Sequence, residues 1–261
     1  MKLNISRDAR PQARTLLLAA LLSIALWFIP FAELLTYPFR IFVTFIHEGG
    51  HALAALLTGN SVASLSVAMN ASGETYTTNG GLLSQIFVSS AGYVGAAAYG
   101  ALLLLLIRRA VAARIVLATT AVFILALTAI YGFLVPLAHG MVSPFTLLAG
   151  VLISVGLLAV GRYASPRTAT FFTSFLAVQC VLNALFDLKT VFFLSSPLER
   201  ANVATDAMNM ANATGIPAIV WAVVWIAISF LILSVAMRAY SVSCRRTAVQ
   251  EDLPFEDATG I

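Results

Sequence analysis

The chain has 261 residues, of which 60% are hydrophobic and only 10% are charged. A soluble globular domain carries about 25% charged residues, so this composition excludes water as the main solvent. The net charge of +4 comes from arginines between apolar stretches, which indicates membrane topology and excludes a nucleic-acid-binding face. Two cysteines are too few for a disulfide framework or a thiolate metal cluster.

Apolar stretches long enough to cross a bilayer recur along nearly the whole chain. A transmembrane helix needs about 20 residues. The candidate spans are 14–35, 38–59, 81–107, 114–135, 144–163, 168–194 and 215–240. The sequence therefore predicts an all-α polytopic membrane protein, a bundle of six to seven transmembrane helices. Residues 1–240 form one integral membrane domain in this interpretation, and 241–261 form a polar C-terminal tail.

Two segments between the spans carry local structural signals. In residues 60–81, Val62, Leu65 and Val67 precede a stretch rich in Ser, Thr, Asn and Gly, which predicts a short hairpin or loop. Between the last two spans, the residues from Thr205 to Met208 predict the start of a short helix.

Basic residues follow every second span and indicate the orientation of the chain. Positive-inside counting places them in the cytoplasm, together with the C-terminus. With seven full spans this puts Lys2, Arg7, Arg10 and Arg14 outside, so either the rule is broken at the N-terminus or one segment is re-entrant. We therefore expect a multipass protein of the cell membrane. The residues counted are Arg108, Arg109, Arg114, Arg162, Arg167, Arg238, Arg245 and Arg246.

The second span contains the motif His47-Glu48-Gly49-Gly50-His51. On a helix, residues four apart lie on one face, so both imidazoles can reach one metal ion. In this arrangement two histidines bind Zn²⁺ and the glutamate acts as general base toward the attacking water. Placing a histidine or a glutamate inside a span costs about 2 to 3 kcal/mol of insertion free energy, so these residues are rare there. A chance match to the motif is therefore less probable than in a soluble protein. The motif predicts amide hydrolysis with Glu48 as base, and its two glycines predict a flat helix face.

A catalytic zinc has three protein ligands, so a third residue must come from elsewhere. Gln179, Asn183 and Asp187 recur every four residues and form a polar stripe in an apolar helix. Asp187 is the first candidate ligand, and Asn183 is expected to orient it or to hold substrate backbone. At 1.5 Å per residue, however, His47 lies about 10 Å beyond Arg40, whereas Asp187 lies about 30 Å beyond Arg167. His139 and Asp206 are therefore kept as alternative ligands.

The stretch from Phe45 to Leu53 resembles the zinc-binding helix of the M50 family, the site-2-protease-like intramembrane metalloproteases, and is closest to the M50B-like branch. Residues 91–95, 183–189 and 214–218 extend the resemblance over most of residues 40–225. The resemblance implies cleavage of membrane-anchored protein substrates within or near the bilayer. It also implies a hairpin near the site, at residues 60–81 here, and an aspartate as third ligand.

Three functions remain open from the residues alone. The first is an intramembrane zinc metalloprotease that uses a metal-activated water and Glu48. The others are a catalytically inactive M50-like membrane protein that binds or regulates a partner, and an ion or proton transporter that uses the intramembrane ionisable groups. The expected partners are the lipid bilayer and a membrane-anchored protein substrate, with no nucleic acid, and the sequence does not specify an oligomeric state.

Overall fold

The computed structural model describes residues 10–26, 29, 31–78, 80–108, 112–194 and 205–251. Helices dominate, with one short two-stranded sheet between the second and third helices. A π-helical segment, Thr128–Leu134, joins α4 to the single turn α5. The elements are α1 (Arg10–Ala25), α2 (Ala32–Leu57), β1 (Val62–Val67), β2 (Gly73–Thr77), α3 (Leu82–Arg108), α4 (Ala113–Leu127), α5 (Val135–Leu137), α6 (Pro144–Tyr163), α7 (Pro166–Leu194), α8 (Asp206–Thr214) and α9 (Ala218–Glu251).

Within the described residues, four helical segments are long and apolar enough to cross a membrane: Leu82–Ile107, Ala113–Leu137, Pro144–Tyr163 and Ala218–Arg238. Helices α2 and α7, which line the cavity described below, are not among these four. The helical membrane bundle is thus observed, while the count of six to seven spans stays a prediction.

The ends of the chain differ in detail from the sequence expectation. The first predicted span is divided, because α1 ends at Ala25 and α2 begins at Ala32. Helix α9 continues to Glu251, so the first part of the expected polar tail is helical. The remaining tail residues, 252–261, lie outside the described part of the chain.

Helix α3 lies at the centre of the bundle and contacts α2, α7, α8 and α9. Its crossing with α2 is close because Gly50 has no side chain: a Cβ built there would lie under 3.0 Å from the carbonyl oxygen of Ala91. On its other side, α2 presents Gly49 to Phe123 and Leu127 of α4. The two glycines of the motif therefore let a helix pack closely on each side of α2.

The predicted hairpin is confirmed, and two helices hold it in place. Strands β1 and β2 pair antiparallel, with Leu65 opposite Thr75. The Thr146 hydroxyl on α6 donates to the carbonyl of Val67 at 3.1 Å and accepts from its N–H at 2.9 Å, as a neighbouring strand would. From α2, the Thr44 hydroxyl donates to the Ala71 carbonyl at 2.8 Å. The hairpin is therefore fixed to the bundle at both its strand and its turn.

The close crossing of α2 and α3 predicts that Gly50→Ala destabilises the bundle. The new methyl group meets main-chain atoms of Ala91, which cannot move without shifting α3. Overpacking of this kind costs about 1 to 3 kcal/mol, and we expect a lower midpoint of thermal unfolding in detergent.

Gly156→Ala on α6 is the matched control, because a Cβ there meets no atom within 4 Å. That variant should unfold at the wild-type temperature or slightly above it, since alanine favours a helix over glycine by about 1 kcal/mol. Equal midpoints for wild type and Gly50→Ala would contradict the close crossing.

Candidate metal centre

Helix α2 places His47 and His51 on one face, one turn apart. Their Nε2 atoms are 3.1 Å apart, and their ring planes meet edge to face with centroids 4.9 Å apart. The carboxylate oxygen Oδ2 of Asp206 lies 3.2 Å from the Nε2 atom of each histidine. Two imidazoles and one carboxylate therefore converge on a single point.

Asp206 reaches this point because it is the first residue of α8. Thr205 precedes it in an extended conformation and caps the helix, its side chain accepting from the N–H of Met208 at 3.3 Å. One turn further on, Met210 is fully buried in a small apolar cluster that includes Tyr93 and Trp225. The cap fixes where α8 begins, and the apolar cluster holds it against α3 and α9.

Main-chain and ring contacts orient both histidines. The Nδ1 atom of His51 lies 2.6 Å from the carbonyl oxygen of Val88. Because a carbonyl only accepts, Nδ1 carries a proton, which leaves Nε2 as the nitrogen that can offer a lone pair to a metal. His47 packs edge to face on Tyr93, with ring centroids 4.6 Å apart.

Gly92 brings the main chain of α3 directly against the converging atoms. A Cβ built at this position would lie under 3.0 Å from the Nε2 atoms of both His47 and His51. Any side chain here would occupy the space in front of the two ligand nitrogens. The glycine therefore leaves open a small cradle between α2 and α3.

The geometry of these atoms suits a metal ion. Tetrahedral ligands at zinc-like bond lengths lie about 3.3 Å from one another. The separations here are 3.1, 3.2 and 3.2 Å, so the three atoms span one face of such a tetrahedron. They also form the only cluster of three His, Cys, Asp or Glu side chains with this geometry among the residues that the structure describes. The set of two imidazoles and one carboxylate is typical of catalytic zinc.

The charge state of Asp206 fits this role. Burial of the carboxyl group favours its neutral form, but the adjacent His51 and His47 imidazoles outweigh burial and hold the pKa of Asp206 well below its usual range. The residue is therefore an anion at neutral pH, which is the form that binds a cation.

Glu48 lies beside this cluster and is almost fully buried. It is close enough to His47, His51 and Asp206 to interact with all three electrostatically. Thr75 of the hairpin donates a hydrogen bond to its carboxylate oxygen Oε2 at 2.7 Å. Sequence reasoning identified Glu48 but gave no sign of this hairpin contact.

A cavity of about 1080 Å³ opens over the cluster, and two further residues that the sequence singled out, Asp187 and Asn183, line it. Asp187 lines this cavity and interacts electrostatically with His47, yet it is not one of the three converging residues. The carboxylate that lies beside both imidazoles is that of Asp206. Asn183 also lines the cavity, and its amide donates to the Gln179 carbonyl at 2.9 Å. His139 is exposed in the turn after α5 and does not join the cluster.

Comparison with known proteins agrees with these features. Residues 16–236 match the family described as Peptidase M50B-like. No curated protein and no solved structure matches the chain.

The apolar helices together with this match define an integral membrane protein whose family is that of metallopeptidases. Since the match covers most of its length, the chain belongs to the Peptidase M50B-like family.

Two positions beside the site were not identified from the sequence. Gly92 forms a row of small residues with Ala96 and Gly100, a spacing that ordinary helix packing explains. Its place opposite His47 depends on how α2 and α3 pair. Thr75 lies in the polar part of the segment predicted as a short hairpin or loop, and that prediction did not place it beside Glu48. For Asp206, the sequence offered only the helix cap at Thr205. The cap located the start of α8 but did not show which residues lie beside it.

The cradle at Gly92 predicts that Gly92→Ala prevents metal binding. The added methyl group lies where the ion and the ligand nitrogens must be, so the metal content of the purified protein should fall from about one ion per chain to near zero.

Gly95→Ala, one turn along the same helix, is the control, because its Cβ would meet only the Cα of Gly50 at an ordinary 3.7 Å. That variant should keep its metal. Wild-type metal content in Gly92→Ala would show that the converging nitrogens are not ligands.

Proposed function

We propose that this protein is an intramembrane zinc metalloprotease that hydrolyses peptide bonds of membrane-associated protein substrates. The observation that carries the proposal is the convergence of His47, His51 and Asp206 within 3.2 Å of one another, beside the buried Glu48. Membership of a metallopeptidase family supports it. The spacing of the motif also favours it over an ion or proton transporter, because a proton relay does not require two histidines four residues apart.

His47 and His51 bind the ion through Nε2 in this proposal, and Asp206 binds it through Oδ2. Asp206 thus takes the ligand role first expected of Asp187, because its carboxylate is the one that meets both imidazoles. When bound, zinc supplies a Lewis acid that polarises the scissile carbonyl and lowers the pKa of a water molecule to about 7. The Val88 carbonyl keeps His51 in the tautomer that the ion requires.

Glu48 is the general base. Its carboxylate takes a proton from the attacking water, whose oxygen forms a bond to the carbonyl carbon of the substrate. The bond between that carbon and the amide nitrogen then breaks, and Glu48 returns the proton to the leaving nitrogen. The products are a carboxylic acid and an amine, and Glu48 ends in its starting state.

The cavity supports a polypeptide substrate within the bilayer. Its lining residues come from the hairpin and from α2, α3, α7 and α8, and a cavity of this size could hold an extended polypeptide chain. Polar side chains along these walls, including Asn183 and Asn209, give the cavity a hydrophilic surface among apolar helices. We place the protein in the cell membrane with a cytoplasmic C-terminus, as the arginine distribution predicts.

The role of Glu48 predicts that Glu48→Gln retains zinc and loses cleavage. Glutamine keeps the shape of the side chain but cannot accept the proton, and loss of general base catalysis should lower kcat by about 10²- to 10⁴-fold. The measurements are metal content and turnover of a labelled membrane-anchored peptide in proteoliposomes. A Glu48→Gln variant that cleaves at the wild-type rate would refute the assignment.

The ligand assignment predicts different outcomes for the two aspartates. Asp206→Ala removes a ligand atom and should lower zinc affinity more than about tenfold, whereas Asp187→Ala should leave the metal content unchanged. Dialysis against a graded series of chelator concentrations measures both. The opposite result, with zinc lost only in Asp187→Ala, would restore Asp187 as the third ligand.

A further inference from the structure

Thr75 makes the only side-chain hydrogen bond that Glu48 receives among the described residues. Its hydroxyl Oγ1 lies 2.7 Å from Glu48 Oε2 and 3.2 Å from the main-chain carbonyl oxygen of Glu48. A hydroxyl has one proton to donate, and the shorter contact is to the carboxylate. A hydrogen bond to an ionised carboxylate is among the stronger ones in proteins.

The rest of β2 shapes the space around the same carboxylate. Gly73 and Thr75 are two residues apart, so they face the same side of the strand. A Cβ at Gly73 would lie under 3.0 Å from the other carboxylate oxygen, Oε1. One oxygen of Glu48 is thus held by Thr75, while the other lies beside a position without a side chain, at the cavity.

The hairpin is anchored well enough to hold Thr75 still. Thr146 fixes the end of β1 through the two hydrogen bonds to Val67. At the turn, the Tyr37 hydroxyl donates to the carbonyl of Met69 at 2.6 Å, and Thr44 donates to that of Ala71. The three anchoring side chains belong to helices α2 and α6, so these two helices fix the position of the Thr75 hydroxyl.

We propose that Thr75 is a positioning residue for Glu48, and that the hairpin is thereby part of the catalytic apparatus. The inference rests on the proposed function. By donating to Oε2, Thr75 holds the carboxylate in one orientation, with Oε1 against the strand at Gly73, where the missing side chain makes room for it. A carboxylate fixed in this way is ready to take a proton from the attacking water. Thr75 makes no hydrogen bond to His47, His51 or Asp206, so we expect it to act on turnover and not on zinc binding.

The test uses the full chain in proteoliposomes with three variants of the hairpin. Thr75→Val removes the hydroxyl at nearly constant shape and keeps a residue that favours strands. Thr75→Ser restores the hydroxyl. Ser64→Ala is the control, because it removes a buried hydroxyl from β1 of the same hairpin, at a residue that neither lines the cavity nor makes a hydrogen bond to Glu48. Each is assayed for zinc content, thermal unfolding, and cleavage of single-span peptides labelled with a fluorophore and a quencher.

Loss of a partner that orients an active-site group typically lowers activity by about 10- to 100-fold. We expect kcat of Thr75→Val to fall by that factor. KM should change less than about twofold, since the substrate is still bound. Zinc content should equal that of wild type, Thr75→Ser should recover to within about threefold, and Ser64→Ala should behave as wild type. Should Thr75→Val not fold, Thr75→Ala removes the same hydroxyl without adding a methyl group.

Wild-type kcat in Thr75→Val would overturn the inference. So would a serine variant that fails to recover, or an equal loss in Thr75→Val and Ser64→Ala, because each would indicate only a structural effect on the hairpin. Failure of the proposed function is distinguished separately, by absence of zinc from the wild-type protein.

A second probe applies if wild type holds zinc but cleaves none of the peptides. Acetohydroxamate chelates zinc and can donate a hydrogen bond to the neighbouring base, so a displaced Glu48 should weaken its binding by about 3- to 10-fold. Thr75→Val should show this loss, and Ser64→Ala should not. Equal affinities in wild type and Thr75→Val would overturn the inference without any cleavage assay.

Discussion

The close approach of two helix backbones is the constraint on which the rest of this structure depends. Gly50 of α2 meets the main chain of α3 at Ala91, and the next residue, Gly92, faces the nitrogen atoms of His47 and His51. Helices pressed together in this way are common in membranes, where small residues replace a hydrophobic driving force. Here the same packing also forms the cradle of the candidate metal centre, so stability and chemistry share one helix crossing.

The hairpin extends this arrangement to the general base. In a helix inside the bilayer, the backbone N–H and C=O groups are already paired, and only side chains can orient a buried carboxylate. A strand brought alongside α2 offers such a side chain at every second residue. Gly73 supplies space and Thr75 supplies a hydroxyl, and both face Glu48.

The parts predictable from the sequence are those that depend on local periodicity. The spacing of His47 and His51 placed both rings on one face, turn residues located the hairpin, and the cap at Thr205 located α8. The third ligand could not be found in this way. The polar stripe of α7 does line the cavity, but which carboxylate meets the histidines depends on how helices far apart in sequence pack. One observation from the sequence did argue against Asp187 as the third ligand: counted from the flanking arginines, Asp187 and His47 were expected at different depths in the membrane.

The separation of 159 residues between His47 and Asp206 has a consequence for biosynthesis. A ribosome that has inserted the chain as far as α7 has already produced both histidines and the base, yet the carboxylate is still missing. A site with two imidazoles alone holds zinc weakly compared with a three-ligand site. In the proposed function, an incomplete chain therefore lacks the third ligand for the ion and cannot hydrolyse peptide bonds, and ion binding follows the completion of the fold.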